Sequence, residues 1–397
     1  MDQQGKPFVS VLLPVYNGAA TIGPALDSLV AQDYPADRYE VILVNDGSTD
    51  DTAQVVAERQ DLRYIELPHN MGISPALNAG LDAARGEILV IFNDDCLAAP
   101  DYLTQLVLGY QRVDKPLGVG SVVVKRATDK VKGATANYVE AISTGNPTVD
   151  DNGPEFLPPI VRRFYSYLKI NYTSRQSDQQ EQDEYPEVVE FYGANASFLT
   201  WELRQVGGWD NNMSAPAIGG IEDRDVCFRL RKRFPDQHFY SARPARVILD
   251  QDLADSAVSF KSHMLRQYRR GPFNYAFHAR NRLVPPLFPF PPLILCTLLA
   301  YSVAIAVLQP LLLLCLPVLL VLLPQVCYGW WIKRGIVARR PVYLLFPYFQ
   351  AMEETMVLVG LLRGYLRFRG MAWVTETVAN DSSAQHSEVR SAQENAF

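Results

Sequence analysis

The chain predicts an α/β fold: a mostly parallel sheet with helices on both faces, followed by a C-terminal transmembrane helical hairpin. Three observations carry this. Short apolar, β-branched runs alternate with helical patterns through the first 113 residues, as a parallel sheet covered on both faces requires. Each run ends in a polar loop. Finally, residues 283–332 contain no Asp, Glu, Lys or Arg, where a bilayer crossing needs only about 20 helical residues.

Composition narrows the class before any motif does. With 37 Lys+Arg against 43 Asp+Glu in 397 residues the net charge is −6, and 48% of residues are hydrophobic against 20% charged. That excludes a disordered polyampholyte and argues against a partner held by phosphate neutralisation, so no nucleic acid is expected. The five cysteines, Cys96, Cys227, Cys296, Cys315 and Cys327, form no CxxC pair, so neither a zinc site nor a disulfide framework is indicated.

The elements follow in order. Residues 8–14 form a strand closed by Pro14; Asn17-Gly18 turns the chain, and Ile22, Leu26, Leu29 and Val30 recur at helical spacing. The same alternation returns as 40–45 with 51–59, 62–67 with 74–84, and 87–92 with 101–113. In such sheets the ligand crevice lies at the carboxyl ends of the strands. The polar residues there are Tyr16 and Asn17, the run Asp46-Gly47-Ser48-Thr49-Asp50, His69, Asn70 and Gly72, and Asn93-Asp94-Asp95. Ser48 and Asp50 read equally well as helix caps or as ligand groups. Asp46 sits at a strand tip, which aims its carboxylate into the crevice. Asn93-Asp94-Asp95 offers oxygen ligands suited to a hard divalent cation carrying phosphate oxygens, the alternative being a solvated turn.

Further along, Glu222-Asp223 heads an amphipathic helix through Val226, Phe228 and Leu230. By itself such a pair is equally well first-turn charge set against the helix dipole. Residues 125–190 are the least readable, with a Gln-rich charged stretch at 175–186 and the aromatic Phe164, Tyr165 and Tyr167 after Pro158-Pro159. Asn171 heads a glycosylation sequon.

The C-terminal third has its own logic. Gln309-Pro310 divides 283–332 into spans of 287–308 and 311–331, ending at Trp330 and Trp331. A basic segment, 251–282, precedes them with Arg266, Arg269, Arg270, Arg280 and Arg282, and Lys333, Arg334, Arg339 and Arg340 follow. By the positive-inside rule both flanks face the cytoplasm. The N-terminus lacks a signal peptide, so the expected localisation is integral membrane with a cytoplasmic catalytic domain. Within 333–374, the apolar stretch 342–362 carries Glu353 and Glu354, which favours an interfacial helix over a third span. Residues 375–397 are polar and aperiodic, and are expected to be disordered.

Five pieces of the chain together resemble the family 2 glycosyltransferases: VSVLLPVYNGAATIGPALDSLVAQDYP, YEVILVNDGSTDDT, NMGISPALNAGLDAARGEILVIFNDDC, YGANASFLTWELRQVGGWD and GGIEDRDVCFRLRKR, spanning residues 8–235. The resemblance implies a GT-A fold, a nucleotide-diphosphate sugar donor, a divalent metal (Mn²⁺ or Mg²⁺) and inversion at the anomeric carbon. Residues 1–115 would be the donor half and 116–250 the acceptor and catalytic half. By position, Pro14, Tyr16 and Asp46 resemble the residues that hold the nucleoside. Asn93-Asp94-Asp95 resembles the D-x-D element: Asn93 and Asp94 lie against the nucleotide sugar, and Asp95 is the metal ligand. Asn93 departs from that pattern by bringing no charge, which implies weaker metal affinity.

Asp223 resembles the general base for the acceptor hydroxyl, with Glu222 beside it to position it or to contact the acceptor. Gln267 and Arg270 resemble a Q-x-x-R-W element at the acceptor and diphosphate, with Gly271 in place of the Trp, which disfavours a processive synthase. Read from the residues alone, this segment is equally a basic stretch meeting membrane lipid headgroups. The expected function is a membrane-anchored, non-processive, inverting transfer to a lipid-linked or glycan hydroxyl acceptor. A degenerate relative that senses nucleotide sugars or serves as an assembly partner is the alternative, supported by Asn93. A channel is disfavoured because uncharged spans offer no polar pathway.

Overall fold

The computed structural model describes residues 5–57, 59–125, 183–191, 196–214, 220–249, 260–281, 298–305 and 341–369, with isolated positions between 307 and 336. The chain divides into two compact units. One comprises Met1–Thr128, Ser174–Asp255 and Ala372–Phe397; the other comprises Asp129–Thr173 and Ser256–Met371.

The first unit is built on a nine-stranded sheet. Its strands are β1 (Val9–Val15), β2 (Tyr39–Asn45), β3 (Arg63–Glu66), β4 (Ile88–Ile91), β5 (Cys96–Ala98), β6 (Pro116–Lys125), β7 (Glu187–Val188), β8 (Ala196–Leu199) and β9 (His238–Leu249). The spatial order is β3-β2-β1-β4-β8-β6-β9-β5, with β7 on β9. β1, β2, β3 and β4 are mutually parallel, while β8 runs antiparallel to β4 and β6. β5 and β7 run antiparallel to β9. The expected sheet is therefore present but mixed, its antiparallel members coming from short strands.

Among the described residues six helices cover the sheet: α1 (Ile22–Val30), α2 (Thr52–Ala57), α3 (Ile73–Ala83), α4 (Tyr102–Arg112), α5 (Thr200–Gln205) and α6 (Glu222–Arg233). Side chains alternate across a strand, and every residue of β1 is buried, so β1 feeds two cores. Val9, Val11, Leu13 and Val15 pack with Leu26 and Leu29 of α1 and Leu103, Leu106 and Tyr110 of α4. Leu12 packs on the other face with Leu77 and Leu81 of α3 and Val226 and Leu230 of α6. That double burial is why the sequence shows a continuous apolar run here rather than an alternating one.

In the second unit, α7 (Phe260–Arg280) packs on α8 (Phe346–Phe368), which follows a 3₁₀ turn at Pro341–Leu345. The crossing is backbone against backbone: a Cβ on Gly271 would lie 2.3 Å from the Gly360 backbone, and one on Gly364 would lie 2.7 Å from Cα of Pro272. Glu353 and Glu354 are both buried on α8.

The expected integral-membrane localisation is overturned. Among the described residues no helix is long and apolar enough to cross a membrane. The two long helices described are both charged: α7 carries Lys261, Arg266, Arg269, Arg270 and Arg280, and α8 carries Glu353, Glu354, Arg363 and Arg367. Most of the expected hairpin at 283–332 lies outside the described residues, as do the tail 375–397, residues 175–182 of the Gln-rich stretch, the Phe164–Tyr167 aromatics, Asn171, Cys296, Cys315 and Cys327. Cys96 and Cys227 are buried and in no disulfide.

Candidate active site

The topology creates a crevice where chain direction reverses. From β1 the chain steps outward to β2 and β3, and β4 then pairs with the opposite side of β1. At such a switch point the two loops diverge and leave an opening at the carboxyl ends of the strands. β1 and β2 end level, Val15 facing Asn45. Pro14 is buried within β1, and Tyr16, just past its tip, is 39% exposed. After β4, the Phe92 N–H bonds the Leu12 carbonyl at 2.9 Å, which delivers Asn93-Asp94-Asp95 to the same edge.

Ser48 and Asp50, left open by the sequence, accept from loop backbone and, for Asp50, also from the Thr52 hydroxyl. The Asn17 N–H donates to Ser48 Oγ at 2.9 Å, and the Ala19 N–H donates to Asp50 Oδ2 at 3.1 Å. Asp50 Oδ1 also accepts from the Thr52 N–H at 3.1 Å, capping α2. Asn17, at φ 54°, accepts in turn from the Thr49 N–H at 2.8 Å. These residues shape the loop after β1.

Asp46 is only 4% exposed. Its Oδ1 accepts from the Met71 N–H at 2.7 Å and its Oδ2 from the Gly72 N–H at 2.8 Å. Strand-tip reasoning aimed this carboxylate into the crevice; the structure turns it onto the backbone that opens α3. Each oxygen retains a lone pair. Burial pushes the carboxyl above its usual value, against the pull of the two N–H donors. Gly47, at φ 64°, permits the approach: a Cβ there would lie 2.5 Å from the His69 backbone.

Asp94 lies against the β1 loop. Its Oδ2 accepts from the Thr21 hydroxyl at 3.3 Å, and a Cβ on Gly18 would come within 2.4 Å of it. Burial, and then the neighbouring charge of Asp95, push its carboxyl up to about 6. Asp95 accepts from the Cys96 thiol at 3.4 Å, and the Asn93 side chain takes no partner among the described residues.

No cluster of three or more His, Cys, Asp or Glu that could hold a metal occurs among the described residues. The donor set nevertheless fits a hard cation. It is all oxygen, it contains two adjacent carboxylates that repel each other, and Mg²⁺-type ions are commonly held by one or two carboxylates plus substrate phosphates.

Glu222 and Asp223 open α6, Glu222 buried and Asp223 half-buried. A third acid, Asp225, is fully buried and pairs with Arg229 at 2.7 Å. Arg229 also donates to the carbonyls of Val206 and, at 2.7 Å, Gly208. The sequence reading passed over this pair, although its i,i+4 spacing was visible. Beside Asp223, the Arg224 guanidinium meets Glu190 at 3.2 Å. The Ile221 N–H donates to the Met213 carbonyl at 3.0 Å, tying the start of α6 to the segment before it.

The structure thus brings Pro14, Tyr16, Asp46, Asn93, Asp94 and Asp95 to one edge of the sheet. Glu222 and Asp223 head a helix packed on one face of that sheet. Gln267 and Arg270 belong to the second unit, on α7. There the glycine after Arg270 has a packing reason: Gly271 abuts the Gly360 backbone, and a Trp side chain could not be accommodated.

Residues 10–145 match the model of the family described as Glycosyl transferase family 2. A dodecaprenyl-phosphate galacturonate synthase of Rhizobium johnstonii is 34% identical over 119 residues, 28% of this chain and 35% of that protein. A beta-monoglucosyldiacylglycerol synthase of Nostoc is 34% identical over 136 residues, 33% of this chain and 28% of that protein. The match thus spans about a third of the length of these relatives. Among solved structures, a mannosyltransferase from Pyrobaculum calidifontis in complex with GDP-Man and Mn²⁺ aligns with a TM-score of 0.51 at 19% identity, over 92% of this chain and 89% of that one. That last likeness is one of fold, a GT-A-like α/β fold.

Proposed function

We propose, from the match of residues 10–145 to the glycosyl transferase family 2 model, that this protein moves a sugar with inversion from a nucleotide-diphosphate donor to a hydroxyl of a lipid-linked or glycan acceptor. The observation that carries the reading is the edge formed by Tyr16, Asn93, Asp94 and Asp95, where Asp94 is pushed up to about 6 by burial and by Asp95. Carboxylates so under-supplied with positive partners mark a site that gains from a cation or a ligand.

Each residue then has a task. Tyr16 lies over the nucleoside, and Asp46, through its remaining lone pairs, accepts from base or ribose. Asp95 would hold Mn²⁺ or Mg²⁺ with Asp94 and Asn93 beside it, and the cation would supply neutralisation of the charge on the departing diphosphate. Asp223 takes the proton of the acceptor hydroxyl as its oxygen bonds the anomeric carbon and the bond to the diphosphate breaks. Such a positioned base contributes roughly 10²–10⁴-fold. Glu222 orients Asp223 or the acceptor.

A polyprenyl phosphate acceptor would already be anionic and need no base, so the acid pair favours a hydroxyl. The names of the two relatives, one for a polyprenyl phosphate and one for a diacylglycerol, support a lipid-linked acceptor. The bound GDP-Man and Mn²⁺ of the structural neighbour support a nucleotide-sugar donor and a metal.

The test is nucleotide release from a panel of nucleotide sugars with Mn²⁺ or Mg²⁺, with and without lipid extract, in wild type, Asp95→Ala and Asp223→Asn. Metal-dependent release from one donor, lost in both variants, is expected. Donor binding without release under every condition would instead favour the degenerate sensor, with Asn93 as its cause.

A further inference from the structure

We infer that a buried serine pair, Ser74 and Ser214, makes the position of the acid pair on α6 depend on the donor-side loop gripped by Asp46. The inference rests on the reading of Asp223 as the base and names two positioning residues for it.

The chain of contacts is continuous. Asp46 holds the Met71 and Gly72 N–H groups at 2.7 and 2.8 Å, and these lead directly into α3. In the first turn of α3, Ser74 is 0% exposed, and its hydroxyl meets the Ser214 hydroxyl at 2.7 Å, across 140 residues of chain. Four residues on, and so on the same face of α3, Asn78 grips the same segment. It accepts from the Trp209 N–H at 2.9 Å and donates to the Trp209 carbonyl at 2.7 Å.

The segment 209–214 is thereby fixed to α3 at both ends. α6 hangs from it: the Ile221 N–H donates to the Met213 carbonyl at 3.0 Å, and Gly220 passes so close that a Cβ would fall 1.8 Å from that carbonyl oxygen. Glu222 and Asp223 follow at once. Any shift of the α3 start when a nucleotide reaches Asp46 therefore has a packed, hydrogen-bonded route to the base.

The location also argues for positioning over simple cohesion. A single hydroxyl–hydroxyl bond, in which one serine donates and the other accepts, contributes little net stability, since an apolar pair of similar shape is often neutral. Asn78 and the Asp225–Arg229 pair already secure this region of the fold. What the serine pair adds is a directional constraint at the end of the segment 209–214 that lies next to α6, while Asn78 grips the other end. Displacements of an ångström at a reacting group cost of order 10²-fold in rate.

The experiment uses the full chain. Ser74→Ala, Ser214→Ala and the double variant are compared for kcat and donor KM, and the ligand-free proteins for amide hydrogen exchange at residues 221–225. We expect kcat to fall about tenfold in each single variant with donor KM within about twofold, and the double variant to be no worse than either single one, because one shared contact is lost once. Ser214→Thr, which keeps the hydroxyl on an extended backbone, should restore kcat, and residues 221–225 should lose protection in both Ala variants. Unchanged kcat, or loss of kcat and KM together with protection intact, would overturn the inference. A wild type that turns over no donor would sink the proposed function instead. The exchange comparison still decides in that case: equal protection at 221–225 overturns the relay, and its loss upholds it.

Discussion

The two ends of the strands in the first unit hold carboxylates in opposite states. At the amino ends, Glu40 accepts from the Ser10 hydroxyl at 2.7 Å, the Arg85 N–H at 2.9 Å and the Arg85 Nε at 3.0 Å. Burial alone would raise its carboxyl, but these donors and the Arg85 charge hold it below the usual range. At the carboxyl ends, Asp94 has one hydroxyl at 3.3 Å and a like-charged neighbour, and is pushed up to about 6. The saturated end ties β1, β2 and the loop before β4 together; the under-supplied end is where a cation or a ligand finds work. The same residue type thus serves the fold or the chemistry according to what surrounds it.

The largest effect that separates the two ends should come from Asp223→Asn. Transfer should fall by roughly 10²–10⁴-fold while donor binding, measured by calorimetry, stays within a factor of about two. Next, Asp95→Ala should lower metal-dependent nucleotide release by roughly 10²-fold or more without lowering the thermal midpoint. A variant that released nucleotide normally would break the comparison at its functional end.

At the other end, Glu40→Gln should cost about 2 kcal/mol in denaturant unfolding and leave turnover per folded molecule unchanged. Because the folded value of Glu40 is depressed, its contribution is present above the unfolded value of 4.5 and is lost as pH falls through the folded one. The wild type and variant should therefore converge in acid.

The smallest effect has the opposite sign. Asp94 is raised, so its ionised form opposes folding; Asp94→Asn should raise the midpoint at pH 8. The gain should shrink as pH falls below about 6 and vanish below 3.8. A lower midpoint at pH 8 would show that Asp94 is paired after all.

Much of this arrangement was legible in the sequence, for stated reasons. The strand and helix pattern of the first 113 residues was readable because β1 and β4 are buried on both faces and stay apolar throughout. Asn93-Asp94-Asp95 and Glu222-Asp223 stood out as polar runs beside apolar ones. β5 escaped because Cys96–Ala98 is three residues long and exists only through its antiparallel partner β9. The orientation of Asp46 depended on a loop 25 residues away folding back over it, which no local pattern encodes. The Ser74–Ser214 contact spans 140 residues for the same reason. Residues 283–332 were read as membrane spans from a long uncharged run between basic flanks, and most of that run lies outside the described residues. Among the described residues no helix is long and apolar enough to cross a membrane, which is the finding that overturns that localisation.

The most direct measurement compares the two ends in one assay: nucleotide release from the active donor with Mn²⁺, by wild type, Asp95→Ala and Glu40→Gln, each scaled to its folded fraction. Equal release by wild type and Glu40→Gln, and loss in Asp95→Ala, are expected. Normal release by Asp95→Ala, or loss of release in well-folded Glu40→Gln, would contradict the division of labour between the two ends of the sheet.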